Sequence, residues 1–197
     1  MRPLVVFNRI TPEGYFAAAG DDMSWFVPDP DIERAGVAGI PQADAAIFGR
    51  RTYQQFASFW PKLANESGTA TDPHGGGQTE AAQAFATALN RMTKWVFSRS
   101  LQHAEWSGSR LIRSFDPEQV RAWKREAGKG IMVFGSGSIV SLLAEHELVD
   151  EYHLVVSPVL LGRGRPLFDG ATRRTPLRLI EAQATRAGNV SMRYAPT

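Results

Sequence analysis

Short apolar runs alternate along this chain with amphipathic stretches, and the two periods predict different elements. Residues 4–7, 45–48, 94–97 and 131–134 are almost unbroken apolar segments of strand length, the pattern of strands covered on both faces. Between them, apolar residues recur three or four apart: Tyr53, Phe56 and Trp60 after Arg51, then Ala82, Phe85, Ala86 and Leu89 within 79–91. That spacing predicts helices with one buried face. A short helix is expected over 29–38, with Pro30 in its first turn. A further helix opens at Asp116-Pro117-Glu118-Gln119, where an N-cap, a proline at the first helical position and an acidic first turn coincide. It stops near Gly128, and another helix runs from about 138 to Glu145. Residues 110–113, 151–156, 177–182 and 191–194 complete the strands. Thr11-Pro12-Glu13-Gly14 is turn chemistry, Asp21-Asp22 is a polar break, and 158–165 is a glycine-punctuated loop.

Strands that alternate with helices and finish in hairpin-like strands predict an α/β fold. Its sheet should be mixed but mostly parallel, with helices on both faces. At 197 residues the chain suffices for one well-buried core, so a single domain over 1–197 is expected. The stretch at about 61–80 differs in character. It holds Asn65-Glu66-Ser67-Gly68, Asp72-Pro73 and Gly75-Gly76-Gly77, and predicts a flexible glycine-rich surface insertion.

Composition narrows the function classes. With 43% hydrophobic and 21% charged residues, the chain reads as a globular protein, and no run approaches the length of a membrane span. The start, Met1 to Phe7, lacks the long apolar core of a secretory signal and reads as a first strand. The absence of cysteine excludes disulfides, thiolate metal sites and cysteine nucleophiles, and suits a cytoplasmic enzyme. The four histidines, His74, His103, His146 and His153, have no metal-ligand spacing. The formal charge is +2 with basic residues scattered, so no stripe for nucleic acid is expected. A few placed arginines suit a small anionic ligand better.

Three strand-to-loop junctions carry the candidate chemistry, because carboxyl ends of strands in open α/β sheets are where ligands sit. The first is Gly49-Arg50-Arg51-Thr52. Glycine permits a close turn, and the guanidinium forks suit phosphate; a helix cap with two solvated arginines is the competing reading. The second, Ser98-Arg99-Ser100, reads as ordinary loop chemistry until another phosphate-binding element stands beside it. The third, Gly135-Ser136-Gly137-Ser138, lets a pyrophosphate approach the main chain at a helix N-terminus. It is neither a P-loop nor a complete dinucleotide fingerprint, and a tight turn is its alternative.

The segments 43–53, 94–98 and 131–137, together with 148–154 and the run Pro158-Val159-Leu160-Leu161-Gly162-Arg163-Gly164-Arg165-Pro166-Leu167-Phe168, resemble the dihydrofolate-reductase-like superfamily. The chain is most similar to the C-terminal reductase domain of bifunctional riboflavin-biosynthesis enzymes and its stand-alone relatives. The resemblance spans nearly the whole chain in order. It implies a dihydrofolate-reductase-like three-layer fold and an NADPH-dependent oxidoreductase acting on a small heterocycle, pteridine- or pyrimidine-like, or a related substrate. It places the adenosine phosphates at Gly49, Arg50, Thr52, Ser98 and Arg99, and the pyrophosphate and nicotinamide at Gly135, Ser136, Gly137 and Ser138. Arg50 and Arg99 would then tell a 2′-phosphate from a bare ribose. Relatives usually carry Ser-Leu-Asp-Gly after the first strand where this chain has Thr11-Pro12-Glu13-Gly14, near the substrate. Met23-Ser24-Trp25 resembles the segment before the carboxylate of dihydrofolate reductases, which makes Trp25 a substrate contact. It offers Asp29 or Asp31 as proton relay without choosing between them, and either suits a helix cap as well. The resemblance also implies a homodimer. True dihydrofolate reductase, or a nucleotide-binding regulatory module without catalysis, are the alternatives.

Overall fold

A computed structural model describes residues 1–39, 42–65 and 79–197. Along the chain, β1 (Leu4–Ile10) and β2 (Tyr15–Ala18) precede α1 (Pro30–Gly39), and β3 (Ala43–Gly49) leads into α2 (Arg50–Asn65) and α3 (Glu80–Arg91). Then come β4 (Thr93–Phe97), β5 (Ser109–Ile112), α4 (Pro117–Arg125), β6 (Gly130–Phe134) and α5 (Gly137–Glu145). The chain closes with β7 (Glu151–Val156), β8 (Gly164–Pro166), β9 (Leu177–Ala184) and β10 (Val190–Pro196). Eight strands form one sheet in the order β5-β4-β3-β6-β1-β7-β10-β9. The first six of that order are mutually parallel, and β10 runs antiparallel to both its neighbours. The fold is the dihydrofolate-reductase-like mixed sheet.

Alternation along the central strands divides the core into two layers. Ala45, Ile47, Trp95, Phe97, Ile131 and Val133 face α4 and α5, packing on Val120, Trp123, Val140 and Leu143. The residues between them, Ala46, Phe48, Val96 and Phe134, face α2 and α3, against Tyr53 and Leu89. A strand with both faces buried has no polar side to show, which is why these segments read as continuous apolar runs. Ring contacts fix each layer: Trp95 stacks on Trp123 at 4.1 Å, and Phe48 on Phe134 at 5.6 Å.

Two features depart from expectation. The glycine-rich insertion is expected from about 61, whereas α2 continues through Pro61 to Asn65. Buried Phe59 and Leu63 pack on Ala86 of α3 and hold that last turn, although proline removes one helix N–H. Thr79 accepts from the Ala82 N–H as N-cap of α3, and the remainder of the expected insertion lies outside the described residues. The second departure is a small antiparallel ribbon. β2, in a stretch with no element expected, pairs with β8 at the end of the expected loop, and β8 carries Arg165 to the carboxyl ends of β3 and β4. Among the described residues, no helix is long and apolar enough to cross a membrane.

Candidate active site

The parallel strands bring their carboxyl ends to one sheet edge. From β1 the chain runs outward to β3, β4 and β5, then returns to insert β6 between β3 and β1 before placing β7 on the other side of β1. This reversal of direction is where an open sheet leaves a crevice. Two joined compartments occupy it.

The first is a cleft of about 450 Å³. Gly49, Arg50 and Thr52 enter it from the β3–α2 junction, Ser98 and Arg99 from the end of β4, and Ser136 and Ser138 from the β6–α5 junction. The junctions fit together because two glycines lack side chains. A Cβ on Gly49 would lie 1.7 Å from Ser136 Oγ. A Cβ on Gly135, whose φ is +58°, would lie 2.6 Å from Thr52 Oγ1. Ser136 is the N-cap of α5 but makes no side-chain cap bond, which leaves its hydroxyl to the cleft. Ser98 Oγ accepts from the N–H groups of Ser100 and Leu101 at 3.3 and 2.9 Å, so its own proton is free to donate outward. Both α2 and α5 begin at the cleft, with the positive ends of their dipoles and unsatisfied N–H groups.

Positive charge dominates this compartment, which Arg51 and Arg165 also line. Arg50 and Arg99 form no ion pair among the described residues, whereas Asp21 faces Arg165 at 2.7 Å and Arg51 at 3.5 Å. The Arg165 guanidinium lies over the Phe16 ring at 4.7 Å. Burial lowers its pKa, as does the charge of Arg51, against the opposing pull of Asp21.

The second compartment, of about 190 Å³, is walled by aromatic rings of β1, α2, α3 and β6, among them Phe7, Phe56, Trp60, Phe85 and Phe134. Trp60 meets Phe85 edge-on at 4.8 Å, and Phe56 tilts on Phe134 at 5.4 Å. Thr52 and Arg165 line both compartments, so the anion cleft opens directly onto the apolar pocket. Gly135 borders the pocket rather than the cleft. Among the described residues, Glu33 is the carboxylate on its wall, accepting from Thr79 Oγ1 at 3.3 Å.

Other sequence candidates lie elsewhere. Gly137 borders neither compartment; a Cβ there would meet the carbonyl oxygens of Pro166 and Leu167 at 2.8 and 3.0 Å, so it serves the packing of α5 behind the site. Trp25 is buried and packs edge-on against Phe26 at 4.6 Å, and its neighbours Met23 and Phe26 reach the pocket instead. Neither Asp29 nor Asp31 lines the pocket. Asp31 pairs with Arg34. Asp29 caps α1 through the Asp31 and Ile32 N–H groups at 2.9 and 3.4 Å, and also accepts from Thr185 Oγ1 and from Asn189 Nδ2 at 2.8 Å. Burial opposes its charge, but these donors prevail and hold its pKa below the ordinary 3.8. Sequence reasoning missed Asp21, Glu33 and Arg165. Only Gly162 and Gly164, within the loop that leads to Arg165, hinted at it. No group of His, Asp or Glu suited to hold a metal occurs among the described residues.

The RibD C-terminal domain family matches residues 3–191 of the chain. The chain is 39% identical over 182 residues to the uncharacterized protein YwjB of Bacillus subtilis (strain 168), covering 90% of this chain and 89% of that one. A pyrimidine reductase-like protein from Corynebacterium diphtheriae superposes with a TM-score of 0.65 at 15% identity, over 100% of this chain and 92% of that one. Dihydrofolate reductase from Enterococcus faecalis, complexed with NADP(H), superposes with a TM-score of 0.60 at 9% identity, over 99% and 96%. At such identities these two likenesses bear on the fold.

Proposed function

The chain belongs to the RibD C-terminal domain family, and from that membership we propose that it is an NADPH-dependent reductase of a small heterocycle, pteridine- or pyrimidine-like, or a related substrate. The carrying observation is the union of an arginine- and hydroxyl-lined cleft with an apolar pocket through Thr52 and Arg165. The nicotinamide half of a dinucleotide has that division: charged phosphates on one side of its ribose and a flat ring on the other. The dihydrofolate reductase neighbour holds NADP(H), and the Corynebacterium neighbour is pyrimidine reductase-like, which supports both halves of the reading. The residues present fit the cofactor, since the bare Cα of Gly49 leaves room for the Ser136 side chain, whose hydroxyl lines the cleft beside Arg50, Ser98 and Arg99.

In this reading Arg50 and Arg99 bind the 2′-phosphate. The hydroxyls of Ser136 and Ser138 and the start of α5 bind the pyrophosphate. The nicotinamide, when bound, supplies the hydride. The aromatic walls orient a planar substrate and exclude water from it. Glu33, rather than Asp29 or Asp31, is the carboxylate placed to relay a proton to the reduced atom. Asp29 already accepts four hydrogen bonds and is held ionised, so it has no proton to give.

Calorimetry with NADPH, followed by NADPH oxidation against a panel of pteridines, pyrimidines and small carbonyl compounds, tests the assignment. NADPH is expected to bind, and at least one panel member to be reduced. Glu33→Gln is expected to lower kcat at least about tenfold while NADPH affinity stays within twofold. A protein that does not bind NADPH refutes the assignment. One that binds it and reduces nothing on the panel is a nucleotide-binding module.

A further inference from the structure

The cleft holds two kinds of arginine. Arg50 and Arg99 have no ion-pair partner among the described residues, whereas Arg51 and Arg165 share one carboxylate. Asp21 sets one oxygen 2.7 Å from Arg165 Nη2 and the other 3.5 Å from Arg51 Nη1. The carboxylate is held there by an unusual backbone. Gly20 and Asp21 both lie in the left-handed region, with φ of 75° and 63°, and Gln55 Nε2 donates to the Asp21 carbonyl at 3.2 Å. Left-handed non-glycine residues are uncommon, so the chain accepts a disfavoured conformation to present this one acid to two cleft arginines.

We propose that Arg51 and Arg165 form a second anion subsite, occupied in the free protein by Asp21, and that the pyrophosphate of the dinucleotide displaces this carboxylate on binding. The ligand's identity rests on the NADPH reading above; the subsite does not. Two guanidinium forks facing one carboxylate have more donors than that carboxylate can accept, and a pyrophosphate brings more oxygens and more charge to the same place. Displacement is feasible because the three groups are partly solvated: Asp21 is 29% exposed, Arg165 35% and Arg51 53%. Ion pairs of this kind are weak enough to exchange. Asp21 is thus an internal competitor that sets cofactor affinity. This role has the opposite sign from that of a carboxylate that positions the arginines for the ligand.

The sign is the test. Asparagine tolerates the left-handed region, so Asp21→Asn keeps the turn while removing the charge. Calorimetry on parent and variant should use NADP+, inorganic pyrophosphate and 2′-AMP, which carries a 2′-phosphate but no pyrophosphate. Asp21→Asn is expected to tighten NADP+ and pyrophosphate by about three- to tenfold and to leave 2′-AMP within twofold. Arg165→Gln is expected to weaken pyrophosphate about tenfold or more. Asp21→Gly, which suits a positive φ better still, must give the same sign as Asp21→Asn and keeps the test valid if asparagine perturbs folding. Unchanged or weaker pyrophosphate binding in both Asp21 variants overturns the proposal. Tighter pyrophosphate binding in a protein that fails to bind NADP+ sustains the subsite and removes the NADPH reading. Parental NADP+ binding with no response to Asp21 does the reverse.

Discussion

Replacing Asp29 by asparagine separates a carboxylate that holds the fold from one that does chemistry. The residue is 1% exposed, and its four donors come from two distant parts of the chain: the first turn of α1 and the turn between β9 and β10. Asparagine keeps the shape and the capping oxygen. Its amide nitrogen, however, would face the amide donor of Asn189. The variant loses a hydrogen bond to a charged acceptor, which contributes about 1.5–3 kcal/mol, and leaves a buried donor unmatched at a further cost of about 1–3 kcal/mol. A destabilisation of about 2.5–6 kcal/mol follows. For a domain of this size that corresponds to roughly 5–24 °C in Tm.

The pH dependence carries its own sign. Burial raises the Asp29 pKa and its hydrogen bonds lower it, with a net value below 3.8. A carboxyl depressed in the folded state contributes stability that is fully present above its unfolded value and lost as pH falls through the folded one. The stability gap between parent and Asp29→Asn should therefore be widest at neutral pH and should close progressively below pH 3.8. Urea unfolding across that range, with kcat measured on the folded variant at low temperature, is the assay. A variant within about 0.5 kcal/mol of the parent but with kcat reduced a hundredfold would place Asp29 in the chemistry and refute this reasoning.

Three further outcomes are expected. NADPH should bind about tenfold or more tightly than NADH, a preference that Arg50→Gln or Arg99→Gln erodes; equal affinities in the parent would remove the 2′-phosphate role of these arginines. Gly49→Ala, whose Cβ would collide with Ser136 Oγ, should destabilise by about 1–3 kcal/mol and weaken NADPH, so parental affinity by calorimetry would contradict the close-packed junction. The protein should be a homodimer with twice the chain mass of 21.7 kDa. The exposed Leu177, Leu179 and Ile180 of the edge strand β9 are its proposed contact, and light scattering that returns the mass of one chain, or a Leu179→Lys variant that is still dimeric, would refute it.

What was legible in the sequence follows from how local each cause is. A strand buried on both faces must be apolar throughout, so β3, β4 and β6 announce themselves. Even Lys94, the second residue of β4, does not disturb this. It is fully buried because its ammonium donates to the carbonyls of Met92 and Ser107 at 2.8 and 2.9 Å and lies over the Trp106 ring. The short ribbon of β2 and β8 has too few residues to show a period, and it stayed hidden along with Arg165. The candidate site divides in the same way. Glycine and hydroxyl residues directly after a strand are local signals, and the structure gathers Gly49, Thr52, Ser98, Ser136 and Ser138 around one cleft. Gly137 has the same local appearance, but its role is decided by Pro166 and Leu167, some thirty positions downstream. Asp29 is the sharpest case. Its capping bonds are two and three residues away, but the partners that hold it ionised are 156 and 160 residues away. No pattern around α1 can distinguish a cap tied into the C-terminal hairpin from an acid aimed at a substrate. Helical spacing could have raised Glu33, which lies between Ile32 and Gly36 on the turn that faces the pocket, but only once the pocket's side of α1 was known.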